Sequence, residues 1–279
     1  MTSPSPVSET ARADLALIKE AVLACGPLLR EAFGCTVQIW SKPGGSPVTE
    51  IDLAVNEILH GRLTSARPDY GWLSEESPDD EVRLSRLSTF IVDPLDGTTS
   101  FIKGKPEFGV AVALAHAGVA VAGIVYNPIT EELFEASLGA GARLNDAPMK
   151  TSTAPSLDQA RLLTPKTFFS SRTWAAPWPE MQIDQRGALT YRMALVAAGA
   201  FDGTASLGLK NEWDIAAGAI LISEAGGRVT DPWDEPLTFN QADPRVPGMV
   251  AAGARLHPLL IERLRETPHP RAQMDQAKG

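Results

Sequence analysis

Apolar residues recur at three- and four-residue steps through Leu15, Ile18, Val22, Cys25 and Leu29, with polar and charged residues between them. That spacing is the signature of a helix with one buried stripe, and it predicts a helix over residues 11–33, ended by Gly34. A β-prone run from Thr36 to Trp40 follows. The next segment, Lys42-Pro-Gly-Gly-Ser-Pro-Val48, carries too many breakers for regular structure and reads as a loop. A second helix is predicted from Thr49 to Ala66, with Ile51, Val55, Ile58 or Leu59, and Leu63 on its buried face. Thr49-Glu-Ile-Asp52 fits a capping box, in which Thr49 caps the helix and Asp52 answers from the third position.

From Gly71 the pattern turns strand-like. Tyr70-Gly-Trp-Leu73 and Thr89 to Asp93 read as buried strands, the second running into Pro94 and Gly97. Phe108 to His116 and Val119 to Tyr126 flank a turn at Ala117-Gly118, and Leu133 to Ala136 makes another strand. This half reads as a mostly antiparallel sheet flanked by the first two helices. Beyond a polar boundary at Thr151 to Pro155, strands at Arg161 to Thr164, Phe201 to Ala205, Arg228 to Asp231 and Met249 to Ala252 alternate with helices. The helices lie around Tyr191 to Ala198, Trp213 to Ala225 and His257 to Glu266, with Gly226-Gly227 as a C-terminal stop. Such alternation implies layered α/β packing. The expected organisation is a flexible start over residues 1–10, an α+β part over 11–150, an α/β part over 151–267 and a flexible tail over 268–279.

With 279 residues, 44% of them hydrophobic, the chain can bury a sizeable core. A formal net charge of −9 argues against long nucleic acids, which need a basic surface. It leaves room for a small phosphorylated partner, because clustered acids hold divalent cations that attract phosphate. Cys25 and Cys35 make no C-x-x-C and no Cys/His cluster, so no zinc site is expected. The first ten residues lack the basic start and apolar run of a signal peptide. No stretch approaches the roughly 18 apolar residues of a membrane span, so a cytoplasmic protein without a membrane partner is expected.

The sharpest chemical feature is Asp93-Pro-Leu-Asp-Gly-Thr-Thr-Ser-Phe101. A buried strand delivers Asp93 to its end, Pro94 has no N–H to donate to the ladder, and Gly97 permits a tight turn. Asp93 and Asp96 can point into one pocket, with N–H and hydroxyl donors from Gly97, Thr98 and Thr99 behind them. The alternative is an ordinary turn whose carboxylates bond their own backbone. Ser74-Glu-Glu-Ser77 sits at the end of a predicted strand that brings Glu75 from the interior, or else belongs to a solvated acidic surface with Asp79, Asp80 and Glu81. Asp214 opens an apolar helix and could be only its cap; Asp52 could serve only its capping box. Magnesium prefers oxygen donors from several chain segments, and two such ions about 4 Å apart can clamp the attacking and leaving oxygens of a phosphoryl transfer. None of the four histidines lies in a promising context.

The same residues resemble the inositol monophosphatase family. Asp93 to Phe101 resembles its first signature, and Trp213-Asp-Ile-Ala-Ala-Gly-Ala-Ile-Leu-Ile-Ser-Glu-Ala-Gly-Gly227 its second. Glu75-Glu76 is similar to its paired glutamates and Val48-Thr-Glu-Ile-Asp52 to its helix-start aspartate. The resemblance implies a five-layered αβαβα sandwich of the inositol monophosphatase/fructose-1,6-bisphosphatase type, often dimeric, lithium-sensitive, and dependent on two or three Mg2+ ions. Carried over by position, Glu75, Asp93 and the Leu95 carbonyl would hold one ion, and Asp93, Asp96 and Asp214 a second. Thr98 and Asp52, with Glu75 beside them, would hold and deprotonate the attacking water. Gly97, Thr98 and Thr99 would contact phosphate; Glu76 and Lys42 would lie just outside the metal ligands.

On substrate the resemblance divides. Inositol-specific members carry a glutamate seven residues before the helix-start aspartate, and here that position is Leu207. Lys210-Asn-Glu-Trp213 instead offers Lys210, which beside the pocket would suit a second negative group and could equally be a surface charge. Phe239-Asn-Gln-Ala-Asp-Pro-Arg245 also resembles bacterial 3'(2'),5'-bisphosphate nucleotidases, which convert adenosine 3',5'-bisphosphate to AMP. Thr99-Ser100 is more typical of inositol phosphatases, so an inositol-1-phosphate, other sugar phosphate or histidinol phosphate phosphatase is the alternative. Two other readings stand beside these. One is an aspartyl-phosphate phosphatase, whose Asp-x-Asp motif would be one residue shorter. The other is a phosphate-binding regulatory protein that keeps the fold without the activity.

Overall fold

Helix α1 (Pro6–Ala32) begins at Pro6 rather than at residue 11. The Ser5 side chain accepts the Ser8 amide at 3.3 Å and Pro6 occupies the first turn, where its missing N–H costs nothing. The structure is a computed structural model, and it describes residues 5–265 apart from 166, 167, 170–173 and 175. The expected tail over 268–279 therefore lies outside the described residues. On α1, Ile18, Val22, Cys25 and Leu29 are buried, as the stripe predicts, with Ala11 and Ala21 buried beside them, while Leu15 is only half-buried. Helix α2 (Glu50–Ala66) buries Ile51, Val55, Leu59 and Leu63, and its Thr49–Asp52 capping box is formed. Between these helices the expected loop is a small hairpin, β1 (Ile39–Ser41) pairing antiparallel with β2 (Pro47–Thr49).

Seven strands form the first sheet in the order of the chain. They are β3 (Gly71–Ser74), β4 (Ser88–Asp96), β5 (Gly109–His116), β6 (Val119–Asn127), β7 (Glu132–Ser137), β8 (Gly141–Leu144) and β9 (Ala147–Met149). Only β3 and β4 run parallel. Pro94 does not end β4: the pairing Asp93↔Ala111 resumes at Asp96↔Gly109, so one extra residue bulges and the missing proline N–H falls where no ladder bond is needed. The second sheet has five strands in the order β11 (Gln182–Asp184), β10 (Arg161–Leu163), β12 (Gly203–Asn211), β14 (Arg245–Gly253), β13 (Gly227–Thr230).

Three apolar cores stack these elements. One lies between α1, α2 and a face of the first sheet. The second holds α4 (Leu189–Ala197) and α5 (Ala216–Glu224) between the two sheets. The third packs α6 (His257–Arg265) on the far face of the second sheet. The architecture is the expected αβαβα sandwich. Sitting between two sheets, α5 buries every residue from Ala216 to Ile222, as a helix apolar all round must. Its approach to β6 needs Gly123, where an added Cβ would lie 2.6 Å from the Ile220 side chain. Among the described residues no helix is long and apolar enough to cross a membrane.

Candidate active site

Three chain segments converge near the ends of β3, β4 and β12. Strand β4 carries Asp93 to its bulge, the turn after β3 presents Glu75, and a 3-10 turn (Glu212–Asp214) between β12 and α5 presents Asp214. One carboxylate oxygen from each of Glu75, Asp93 and Asp214 lies within 4.8 Å of the others. Asp93 is 2% exposed. Burial, together with the charges of Glu75, Asp96 and Asp214, holds its carboxyl well above the usual carboxylate range. Burial and the charges of Asp96 and Glu75 push Asp214 up to about 7. Like charges packed this closely out of water are stable only if protonated or neutralised by a cation. The donors are oxygen alone, from three segments, which fits a hard divalent ion such as Mg2+.

The bulge separates Asp96 from that trio. Its Oδ1 accepts the Leu189 amide at 3.2 Å, and its Oδ2 accepts those of Thr190 and Tyr191 at 2.6 and 3.3 Å, so Asp96 seats the first turn of α4. Burial raises its carboxyl to about 6, against the pull of these amides. Its charge still reaches both Asp93 and Asp214. Thr190 in turn donates its hydroxyl to the Asp214 carbonyl at 2.8 Å, which ties α4 to the 3-10 turn.

Asp52 both caps α2 and bonds Thr98. Its Oδ2 accepts the Thr49 amide at 2.8 Å and the Thr49 hydroxyl, while its Oδ1 accepts the Thr98 hydroxyl at 2.8 Å. Burial raises the Asp52 carboxyl despite these bonds. The Thr98 hydroxyl also lies 3.1 Å from the Leu95 carbonyl, and Asp93 Oδ1 accepts the Leu95 amide at 3.0 Å. Gly97 precedes a short helix, α3 (Thr98–Ile102), with φ of 95°, and among the described residues no side chain caps that helix. A Cβ at Gly97 would also stand 3.0 Å from Ala188 Cβ, so only glycine serves there. Thr99 follows in the same uncapped turn.

Lys42, at the end of the hairpin, places its Nζ 2.6 Å from both Glu75 Oε1 and Glu76 Oε1. Burial opposes its charge, but these two acids raise its pKa overall. Burial likewise raises Glu76, with Lys42 working against it. Lys210 stands at the end of β12, where its charge lowers Asp214 and its Nζ donates to the Leu209 carbonyl at 3.2 Å. Leu207 is half-buried in the same strand.

One residue near the site was not anticipated. Arg192 on α4 is 6% exposed, and its Nε has no hydrogen-bond partner among the described residues. Burial lowers its pKa, while the charges of Asp96 and Asp214 oppose that. Side chains on a helix lean back over the preceding turn, which here is the turn seated on Asp96. The sequence held a signal: Arg192 is the single charged residue between Arg186 and Asp202.

The profile of the inositol monophosphatase family matches residues 10–269. An inositol-1-monophosphatase of Caulobacter vibrioides is 37% identical over 242 residues, covering 82% of this chain and 91% of its own. The extragenic suppressor protein suhB of Bartonella henselae has a solved structure with a TM-score of 0.79 and 31% identity, covering 91% of this chain and 99% of that one. The inositol monophosphatase of Anabaena superposes with a TM-score of 0.75 at 27% identity, over 95% and 99% of the two chains.

Proposed function

The chain belongs to the inositol monophosphatase family, and on that premise we propose that it is a magnesium-dependent phosphomonoesterase acting on a small metabolite that carries a second anionic group. The observation that carries this reading is the acidic trio of buried Asp93 with half-buried Glu75 and Asp214, beside the hydrogen-bonded pair Thr98–Asp52. Glu75, Asp93 and the Leu95 carbonyl would hold one ion, and Asp93, Asp96 and Asp214 another. Asp96 Oδ1, which accepts the Leu189 amide alone, keeps lone-pair capacity for a metal, whereas Oδ2 already accepts two amides. Magnesium bound there would lower the pKa of a coordinated water and stabilise charge on the phosphoryl oxygens.

The protein's own groups then divide the work. The Thr98 hydroxyl donates to Asp52 Oδ1, so its oxygen is free to accept a proton from water while its own proton passes to Asp52. Burial suits Asp52 to that task, because it favours the protonated acid. The uncapped turn at Gly97, Thr98 and Thr99 supplies amide donors for phosphate oxygens. Lys42 bonds Oε1 of Glu75, with Glu76 as its second anchor, and Glu75 can offer Oε2 to an ion.

The second anionic group is argued from Arg192 and Lys210, two cations whose charges reach Asp214, and from Leu207 in the place of a sugar-binding acid. A buried guanidinium without a full set of partners is a ready receptor for an anion. This favours a 3'(2'),5'-bisphosphate nucleotidase activity, adenosine 3',5'-bisphosphate to AMP. Inositol 1-phosphate is the second reading, favoured by the name of the Caulobacter relative. Phosphate release from both substrates by one preparation, with and without magnesium, tests the choice. Faster magnesium-dependent release from the nucleotide supports the first reading; preference for inositol 1-phosphate replaces it with the second. No release from either would overturn both.

A further inference from the structure

Glu75 and Asp214 reach the same spot from different sheets, and a buried ionic bridge joins the segments that carry them. On the Glu75 side, the turn after β3 runs on to Asp79, whose two oxygens take a forked pair of bonds from Arg83 Nε and Nη2 at 2.6 and 2.9 Å. Arg83 is 2% exposed. Its remaining donors cross to a strap of chain between β13 and β14: Nη1 to Asn240 Oδ1 at 2.8 Å and Nη2 to the Gln241 carbonyl at 3.0 Å. Asn240 answers from Nδ2 to the Arg83 carbonyl at 3.1 Å.

On the Asp214 side, the strap is held by Glu212, which is fully buried. Its Oε2 and Oε1 accept the successive amides of Asn240 and Gln241 at 2.5 and 2.9 Å. Asn240 has a left-handed φ of 59°, the conformation that turns neighbouring N–H groups toward one anion. Glu212 opens the same 3-10 turn that ends in Asp214. The Phe239 amide adds an anchor on the Gly118 carbonyl at 2.9 Å, in the turn between β5 and β6.

Apolar contacts would fill this space at less desolvation cost than a buried arginine and glutamate. Directional bonds do what apolar contacts cannot: they fix a distance. We propose that Arg83, Asn240 and Glu212 form a positioning bridge that sets the separation of Glu75 from Asp214, and through it the affinity of the site for its metal. None of the three needs to touch metal or substrate. The inference rests on the metal-dependent reading above. Residues that orient ligands in this way commonly change metal affinity 10- to 100-fold when removed.

Asn240→Gly isolates the effect, because glycine keeps the left-handed backbone and the amides to Glu212 while deleting both bonds to Arg83. Arg83→Lys keeps the charge but loses the fork. Calorimetric Mg2+ titration of wild type and both variants is the primary readout, with kcat, KM and metal-free melting beside it. The bridge predicts an Mg2+ Kd about 10-fold weaker in Asn240→Gly, an intermediate loss in Arg83→Lys, and an unchanged substrate KM at saturating Mg2+. Wild-type Mg2+ affinity in Asn240→Gly, with or without a lower melting temperature, would make the bridge merely structural and overturn the proposal alone. Absence of Mg2+ binding by wild type would overturn the metal reading and this inference together.

Discussion

Replacing Asp93 by Asn removes one of the three acids whose oxygens lie within 4.8 Å of one another while keeping the side chain's shape. Two effects follow, with opposite signs. For a unit charge pair at 4 Å the interaction is about 4 kcal/mol at an effective dielectric near 20. Against a divalent ion the gross loss is larger, and the retained Asn oxygen and the easier desolvation return part of it. A net loss of about 3–4 kcal/mol corresponds to a Kd for Mg2+ weakened roughly 100- to 1,000-fold. Turnover should fall at least about as far, because Asp93 is the ligand proposed to serve both ions. The metal-free fold should respond the other way. Asp93 has a raised folded-state pKa, so its contribution to stability is fully present below the unfolded value near 4 and is lost as pH rises through the folded value. At pH 7.5 without metal, the wild type therefore carries repulsion from Glu75, Asp96 and Asp214 that the variant lacks. Thermal melts in chelator and in MgCl2, at pH 4.5 and 7.5, read both effects. Metal-free Asp93→Asn should melt several degrees above wild type at pH 7.5, lose that advantage at pH 4.5, and gain little from MgCl2. A variant that melts lower without metal at pH 7.5, or keeps activity within tenfold of wild type, would refute the reasoning.

Other consequences are as direct. Thr98→Val deletes the bond to Asp52 and should lower kcat about 10- to 100-fold while calorimetry finds Mg2+ affinity little changed; Thr98→Ser should recover most of the rate. Asp214 and Asp96 titrate near 7 and 6 without metal, so an arriving ion must displace protons. Mg2+ affinity should therefore climb from pH 5 to 8, with proton release measured by calorimetry in buffers of different ionisation enthalpy; a pH-independent Kd would contradict it. Arg192→Met should raise KM for adenosine 3',5'-bisphosphate about 10- to 100-fold and leave KM for inositol 1-phosphate unmoved; equal effects on both would remove Arg192 from the second-anion role.

The helical stripes of α1 and α2 were legible because their partners lie on one side only, and the capping box at Thr49 is a purely local device. Asp93 to Phe101 stood out for the same reason: strand, breaker and turn lie in one short run. What escaped depends on contacts distant in sequence. The start of α1 was hidden because Ser5 and Pro6 look like flexible-tail composition until they are seen as a cap and first turn. Pro94 was expected to stop β4, and only pairing with β5 shows the bulge that accommodates it. Strands β8, β9 and β11 are too short to carry a period of their own. The seating of Asp96 on α4, the placement of Arg192, and the Arg83–Asn240–Glu212 bridge span up to 158 residues of chain, and local pattern contains no trace of such pairings.

The central claim is that carboxylate-held magnesium activates water on a phosphomonoester. Continuous phosphate release from the preferred substrate, followed while free Mg2+ is withdrawn by chelator and then restored, tests it most directly. The rate should fall to the uncatalysed level and return with added Mg2+; release that persists at full rate in excess chelator would contradict the account.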